Sequence, residues 1–360
     1  MSEDSHEIKV LVPKVPDVEK LWPYLKKIDE NQVYSNFGPL NGELIERLSS
    51  YTGIRKQNIA TCANATLAIQ GLLMTCPLQS EIWELPVWTF TATEAGAINS
   101  GRTLKFVDVN SNWRADFSVD SATEYSFIDV ASFGDSIESG QVNRCKSLIV
   151  DAAPCFDALS NLVLHDNYPV AIVVSLHATK LLPAGEGSFV LSNSNEWISN
   201  FRSWSNFGMN SERVSQFLGT NAKLSEFSAA VALASLDNWN QTRARLLELS
   251  FKARTLSNQL GFSTSPAMEK GLATPYWILV LNNSLQKTKL IDLLNKNRIG
   301  WRDWWKDGIH KMPAYSSLAA GNFPLTDKLA TVTIGLPMHY YLTDEDFERI
   351  ATVLSEIRNS

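Results

Sequence analysis

The sequence predicts an α/β protein, a wound sheet covered by helices and followed by a smaller α+β lobe. Short runs that are apolar on both faces recur through the first part of the chain, as strands of a buried parallel sheet require. Helical periodicity falls between some of them. A long stretch rich in Ala, Leu and Arg with few breakers then leads into a second, shorter series of elements.

Taken in order, Leu40 to Tyr51 places Leu44, Ile45 and Leu48 on one helical face, and Gly53 follows as a stop signal. Ala65 to Met74 reads as a second helix. Strands are expected at Ile82–Leu85, Thr103–Val107, Phe127–Val130, Leu148–Val150 and Ala171–Val174, with a helix over Ala92–Asn99. A single helix is expected from Ser225 to Gly261, bridging two lobes with a boundary at Asn238–Arg243, so that residues 1–240 form the large lobe and 241–360 the small one. Beyond it, Tyr276–Leu281 and Thr331–Ile334 read as strands, and Leu285–Asn297 and Asp344–Ile357 as helices.

Composition narrows the function. With 360 residues the chain is long enough for two lobes and a large core. A formal charge of −6, from 32 Lys+Arg against 38 Asp+Glu, opposes binding to nucleic acid. The longest apolar runs, Val170–Val174 and Trp277–Leu281, fall far short of the roughly 18 residues of a membrane span. The start, MSEDSHE, is acidic and lacks an apolar core, which predicts neither a secretory signal nor a transit peptide and makes the cytoplasm the expected location. Cys62, Cys76, Cys145 and Cys155 form no CxxC pair and read as reduced, partly buried thiols, with no metal site expected.

Chemistry concentrates at predicted strand ends. The run Val173 to Lys180 is an apolar strand that ends in Ser175, His177, Thr179 and Lys180, and ligands of open α/β sheets gather at that edge. A lysine there can be desolvated and become a nucleophilic amine able to form a Schiff base. Leu148-Ile149-Val150-Asp151 places a carboxylate at a second strand end. If Lys180 carried pyridoxal phosphate, Asp151 could bond the pyridine nitrogen and keep it protonated. Cys62 to Leu67 supplies small residues leading into a helix, whose unpaired N–H groups and dipole bind anions, with Thr66 and Ser175 as added hydroxyl donors. Trp88 and Phe90 offer an aromatic plane for a flat heterocycle.

These segments, in this order, resemble the DegT/DnrJ/EryC1/StrS sugar aminotransferases, a branch of the fold-type I pyridoxal phosphate enzymes. The likeness runs through Asn36–Leu40 with Glu43, Cys62–Ala68, Trp88–Thr93, Phe106–Val109, Asp151–Ala153, Ser175–Lys180, Gly185–Gly187 and Asn221–Glu226. It ends with His310 and Pro313-Ala314-Tyr315, and so covers nearly the whole chain. It implies a mostly parallel seven-stranded sheet between helices, a smaller C-terminal lobe, and a homodimer with a shared active site. It further implies that Lys180 forms the Schiff base with pyridoxal 5′-phosphate, which cycles through pyridoxamine 5′-phosphate, and later shuttles protons. Asp151 would pair with the pyridine nitrogen, and Ala65, Thr66 and Ser175 would hold the phosphate. Phe90 or Trp88 would cover the ring, His177 would lie beside the cofactor, and Asn221 would reach the phosphate of the partner subunit. His310, Glu186 and Tyr315 would meet substrate.

Three departures stand out. Pro154 occupies a position where the family often has Gln, Glu or His, Ala65 replaces a glycine, and Asp129–Gly134 replaces P-V-H-L-Y-G within a shortened segment, Asp116–Gly140. The Trp301–Trp305 run reads as core in preference to a stacking surface. The nearest likeness is to enzymes that pass an amine from L-glutamate to dTDP-4-keto-6-deoxyglucose, giving a 4-amino-4,6-dideoxyhexose. The alternatives are a 3-keto or UDP- or GDP-linked substrate, or a non-catalytic sugar-nucleotide binder. Lys180 argues against the dehydratases of the family, which carry histidine there, and Gly185-x-Gly187 opens no helix, against a nicotinamide oxidoreductase.

Overall fold

The computed structural model describes residues 6–78, 80–117, 125–137 and 145–358. Helices α1 (Val18–Asn31) and α2 (Pro39–Thr52) precede β1 (Ile59–Cys62), α3 (Ala65–Thr75), β2 (Ile82–Pro86), α4 (Thr91–Asn99) and β3 (Thr103–Val107). Four strands follow, β4 (Ser126–Val130), β5 (Leu148–Asp151), β6 (Val170–Ser175) and β7 (Ser188–Ser192), and then α5 (Asn195–Trp204), α6 (Glu226–Asp237) and α7 (Trp239–Gln259). The last part holds β8 (Ser263–Thr264), α8 (Pro266–Glu269), β9 (Trp277–Val280), α9 (Ser284–Lys296), α10 (Pro324–Val332), β10 (Thr333–Leu336) and α11 (Asp344–Arg358).

Seven strands form one sheet in the order β1-β7-β6-β5-β4-β2-β3. The pairs β2–β3, β2–β4, β4–β5 and β5–β6 are parallel, and β7 runs antiparallel to both of its neighbours. Every residue of β4, β5, β6 and β7 is buried, and β5 and β6 are apolar up to the polar residue that ends each of them. Parallel pairing sends the carboxyl ends of β2, β4, β5 and β6 to one edge, and Asp151 and Ser175 come to that edge together. A second, antiparallel sheet, β10-β9-β8, lies wholly within residues 241–360.

Two carboxylates tie distant parts to this frame. Glu226, at the start of α6, accepts the N–H groups of Leu40 (2.7 Å) and Asn41 (3.0 Å) and so caps α2. Gly38 must lack a side chain there, because a Cβ would lie 2.7 Å from the Glu226 carboxyl carbon. Asp108, just past β3, accepts from the N–H groups of Leu325 (2.8 Å) and Thr326 (2.9 Å) and caps α10 of the small lobe.

The structure corrects several expectations. The single helix over Ser225–Gly261 is two, because Asn238 leaves helical geometry and its side chain donates to the Ala234 carbonyl at 2.8 Å, closing α6. Trp239 then opens α7 with its ring edge-on to Phe156. Thr331 and Val332 end α10, and β10 begins only at Thr333. Strands β1 and β7 and helices α1, α5 and α10 were not expected from pattern. Parts of the shortened segment Asp116–Gly140, 118–124 and 138–140, lie outside the described residues.

Candidate active site

A cavity of about 600 Å³ opens where the strand ends meet the small lobe. Its large-lobe wall carries Ala65, Thr66, Phe90, Asp151, Ser175, His177, Lys180 and Glu186, eight of the residues singled out from the sequence. The small-lobe wall carries Tyr276, Arg302, Trp304 and Trp305.

Each functional side chain has a local reason for its place. Asp151 is the last residue of β5 and is 6% exposed. It accepts the Thr93 hydroxyl at 2.6 Å and the Ala153 N–H at 3.1 Å, and Thr93 in turn meets Thr89 at 2.8 Å. Burial pushes the Asp151 carboxyl pKa up; the Thr93 and Ala153 donors and the nearby Lys180 charge counter it. A cation held against Asp151 would counter it further. Lys180 lies in the turn after β6, and its Nζ donates to the Tyr276 hydroxyl at 2.8 Å. Ser175 ends β6 and its Oγ accepts the His177 N–H at 3.2 Å. The His177 Nδ1 accepts the Thr179 N–H at 3.2 Å, so the neutral ring carries its proton on Nε2, 3.6 Å from Glu186.

At the start of α3 the Asn64 side chain takes the Leu67 N–H at 2.9 Å and its carbonyl takes that of Ala68. Among the described residues nothing accepts the N–H groups of Ala65 and Thr66, which stand at the cavity wall at a helix start, an arrangement that suits an anion. These residues fit pyridoxal phosphate. Ala65, Thr66 and Ser175 would hold its phosphate, Asp151 its ring nitrogen, Phe90 its face and Lys180 its aldehyde carbon. Pro154 and Ala153 add apolar surface to the same wall.

Four expected site residues lie elsewhere. Trp88 is fully buried behind the cavity wall, edge-on to Trp305 at 5.1 Å, so of the two expected aromatics only Phe90 reaches the cavity. The His310 ring turns away: its Nε2 meets Asp327 at 3.1 Å and it packs edge-on to Phe323. The left-handed turn at Gly308 leaves room for this, since a Cβ there would press on the ring at 2.9 Å. Tyr315 is half-buried in the turn after His310 and does not line the cavity. Asn221 is exposed, on a bridge to Asn206, and is likewise outside this chain's cavity.

Sequence reasoning missed Tyr276, Arg302 and Phe133 as cavity residues and read the Trp301–Trp305 run as core. Trp301 packs on one core cluster and Trp304 and Trp305 on another, and the last two also line the cavity. Phe133 adopts left-handed backbone (φ 57°) and stacks on Trp305 with ring centres 4.4 Å apart. Its loop is pinned by Arg114, 1% exposed, which donates its Nε to Asp129 at 2.9 Å and its Nη1 to the Ser136 carbonyl at 2.9 Å.

Comparison with known proteins identifies the family and the fold. The model of the DegT/DnrJ/EryC1/StrS aminotransferase family matches residues 17–123 and 148–355. A dTDP-4-amino-4,6-dideoxy-D-glucose transaminase of Shigella dysenteriae is 25% identical over 370 residues, spanning 98% of this chain and 99% of its own. Among solved structures, DesI in the presence of its TDP-sugar product superposes with a TM-score of 0.84 at 24% identity, covering 99% of this chain and 94% of that one. A DegT/DnrJ/EryC1/StrS aminotransferase from Brucella abortus gives 0.80 at 21% identity, with 95% and 96% covered. The chain, matched over most of its length and carrying the lysine, the aspartate and the open helix start on one cavity, belongs to the DegT/DnrJ/EryC1/StrS aminotransferase family.

Proposed function

We propose that this protein moves an amino group from L-glutamate to a nucleotide-linked keto-deoxysugar, with dTDP-4-keto-6-deoxyglucose as substrate and a 4-amino-4,6-dideoxyhexose as product. The supporting observation is that Lys180 and Asp151, from the ends of neighbouring strands, share one cavity with the unbonded N–H groups of α3. Pyridoxal phosphate, when bound, supplies the electron sink that acidifies the amino-acid Cα–H. Asp151, held by Thr93 and Ala153, keeps a compensating negative charge at the buried end of the site. The Lys180 amine, oriented by Tyr276, is the base and acid that moves the proton, a role worth roughly 10²–10⁴-fold in rate. His177 and Glu186 line the mouth, where substrate enters. Donor and acceptor use one site in turn, so kinetics are ping-pong.

The functional unit is a cytoplasmic homodimer in which Asn221 completes the partner's phosphate site. Large apolar side chains stand exposed on the segments that would meet a second copy, including Phe217, Leu218 (87% exposed) and Phe227. Tyr34 and Phe227 stack with centres 6.2 Å apart, joining the α1–α2 turn to α6 in one surface.

Lys180→Ala is expected to lose turnover and the visible absorption band of the loaded enzyme; a variant that kept both would remove this lysine from the chemistry. Incubation with L-glutamate and a panel of 3-keto and 4-keto sugars on dTDP, UDP and GDP, with the new amine located by NMR, is expected to give amination at C4 of the dTDP sugar.

A further inference from the structure

Among the charged residues lining the cavity, one cation has no role in the reading above. Asp151 is bonded by Thr93 and Ala153, Lys180 by Tyr276, and His177 faces Glu186. Arg302 also lines the cavity, on the small-lobe wall, and no described carboxylate pairs with it. It is nonetheless held firmly. Its N–H donates to the Gly335 carbonyl at 2.9 Å and its carbonyl accepts the Gly335 N–H at 2.8 Å, which fastens its backbone to β10. Its guanidinium lies over the Trp304 ring, 4.9 Å from the centre. Trp304 is locked in turn, because it occupies the space a side chain at Gly335 would fill, where a Cβ would lie 2.1 Å from its Nε1. Trp304 also packs edge-on to Tyr276 at 5.1 Å, and Tyr276 holds Lys180. One rigid series of side chains thus runs from the reactive amine to a planar cation with free donors.

We infer that Arg302 is the substrate's anion receptor in this cavity, gripping an oxyanion with the bidentate fork of its guanidinium. The phosphate cradle of α3 and Ser175 is on the opposing lobe, so Arg302 is free for a second anion. This rests on the aminotransferase reading, whose two substrates each carry such a group: carboxylates on the amino donor and a diphosphate on the sugar nucleotide. Stacking on Trp304 keeps the fork oriented before substrate arrives, which lowers the ordering cost of binding.

The test uses the full chain loaded with pyridoxal phosphate, with glutarate and dTDP as non-reacting probes measured by titration calorimetry, and the two half-reactions followed by absorbance. Arg302→Gln is expected to weaken one of the two probes by about 10- to 100-fold, the loss of a charge-assisted contact. The half-reaction that uses the same anion should weaken with it. Arg302→Lys, which keeps charge but not the fork, should fall between. Loss confined to glutarate and L-glutamate assigns the carboxylate; loss confined to dTDP and the keto-sugar nucleotide assigns the diphosphate. Binding of both probes within twofold of wild type, in a variant with unchanged melting temperature and absorption band, overturns the inference. Failure of the wild-type protein to bleach with L-glutamate would instead overturn the aminotransferase reading.

Discussion

At the scale of single residues, Glu94 is the least expected feature of the large lobe. It sits on α4 beside Thr93, is fully buried, and neither carboxylate oxygen has a well-formed hydrogen bond. Burial pushes its pKa well above the ordinary 4.5, opposed by its own backbone N–H, and the negative charge of Asp151 adds to the rise. An acid whose folded pKa lies above its unfolded value binds more protons when folded, so its contribution falls as pH rises between the two values. Glu94→Gln cannot titrate. Its stability relative to wild type is therefore expected to grow by about 1.4 kcal/mol per pH unit above the unfolded pKa, for as long as the folded acid stays protonated. Urea unfolding of both proteins at successive pH values upward from the ordinary glutamate value of 4.5 measures that slope. Parallel curves would mean that Glu94 is already ionised when folded. The residues that could be read from sequence were of a different kind: Asp151 and Ser175 each follow an apolar run directly, Lys180 closes the polar turn that begins at Ser175, and a strand end in a parallel sheet has one place to go. Tyr276 and Arg302 have no such signal. Tyr276 lies 96 residues from the lysine it holds, and only the folding of the small lobe over the strand ends brings them together.

Among the elements, legibility followed burial. Strands β5 and β6 lie within the sheet, and a strand covered on both sides shows as an apolar run, here uninterrupted up to the closing Asp151 and Ser175. Strands β1 and β7 are also buried but carry Thr61, Ser188 and Ser192, which broke the run. Helix α1 holds Pro23 within it, a residue that ordinarily interrupts a helical pattern. Capping from a distance is equally silent in sequence, and it is testable. The Glu226 carboxylate stands 186 residues from the Leu40 N–H it accepts and is 1% exposed. Glu226→Ala leaves two N–H groups at the start of α2 without their acceptor, and is expected to cost about 1–3 kcal/mol in denaturant unfolding. Glu226→Gln, which keeps one acceptor oxygen, should recover part of the loss. An unchanged midpoint for the alanine variant would show that the cap contributes nothing.

For the whole molecule, the question is whether one chain makes a complete site. Ala65, Thr66 and Ser175 supply donors for the phosphate from within the cavity, yet Asn221 points outward from this chain, on the bridge to Asn206. Its exposure beside Phe217 and Leu218 is hard to reconcile with a role in its own cavity and fits a role in a neighbour's. If two copies exchange Asn221, defects placed in different parts of the site must complement. Asn221→Ala should weaken cofactor binding by about tenfold, the worth of a phosphate hydrogen bond. Lys180→Ala should abolish turnover. In a heterodimer of the two variants, one site receives both lesions and the other receives neither. Mixing the proteins under conditions that allow subunit exchange, at a cofactor concentration where each is inactive alone, should therefore restore turnover to about half the sites of the mixed dimers. Sites contained within single chains would give no recovery at any mixing ratio, since every site would keep one lesion.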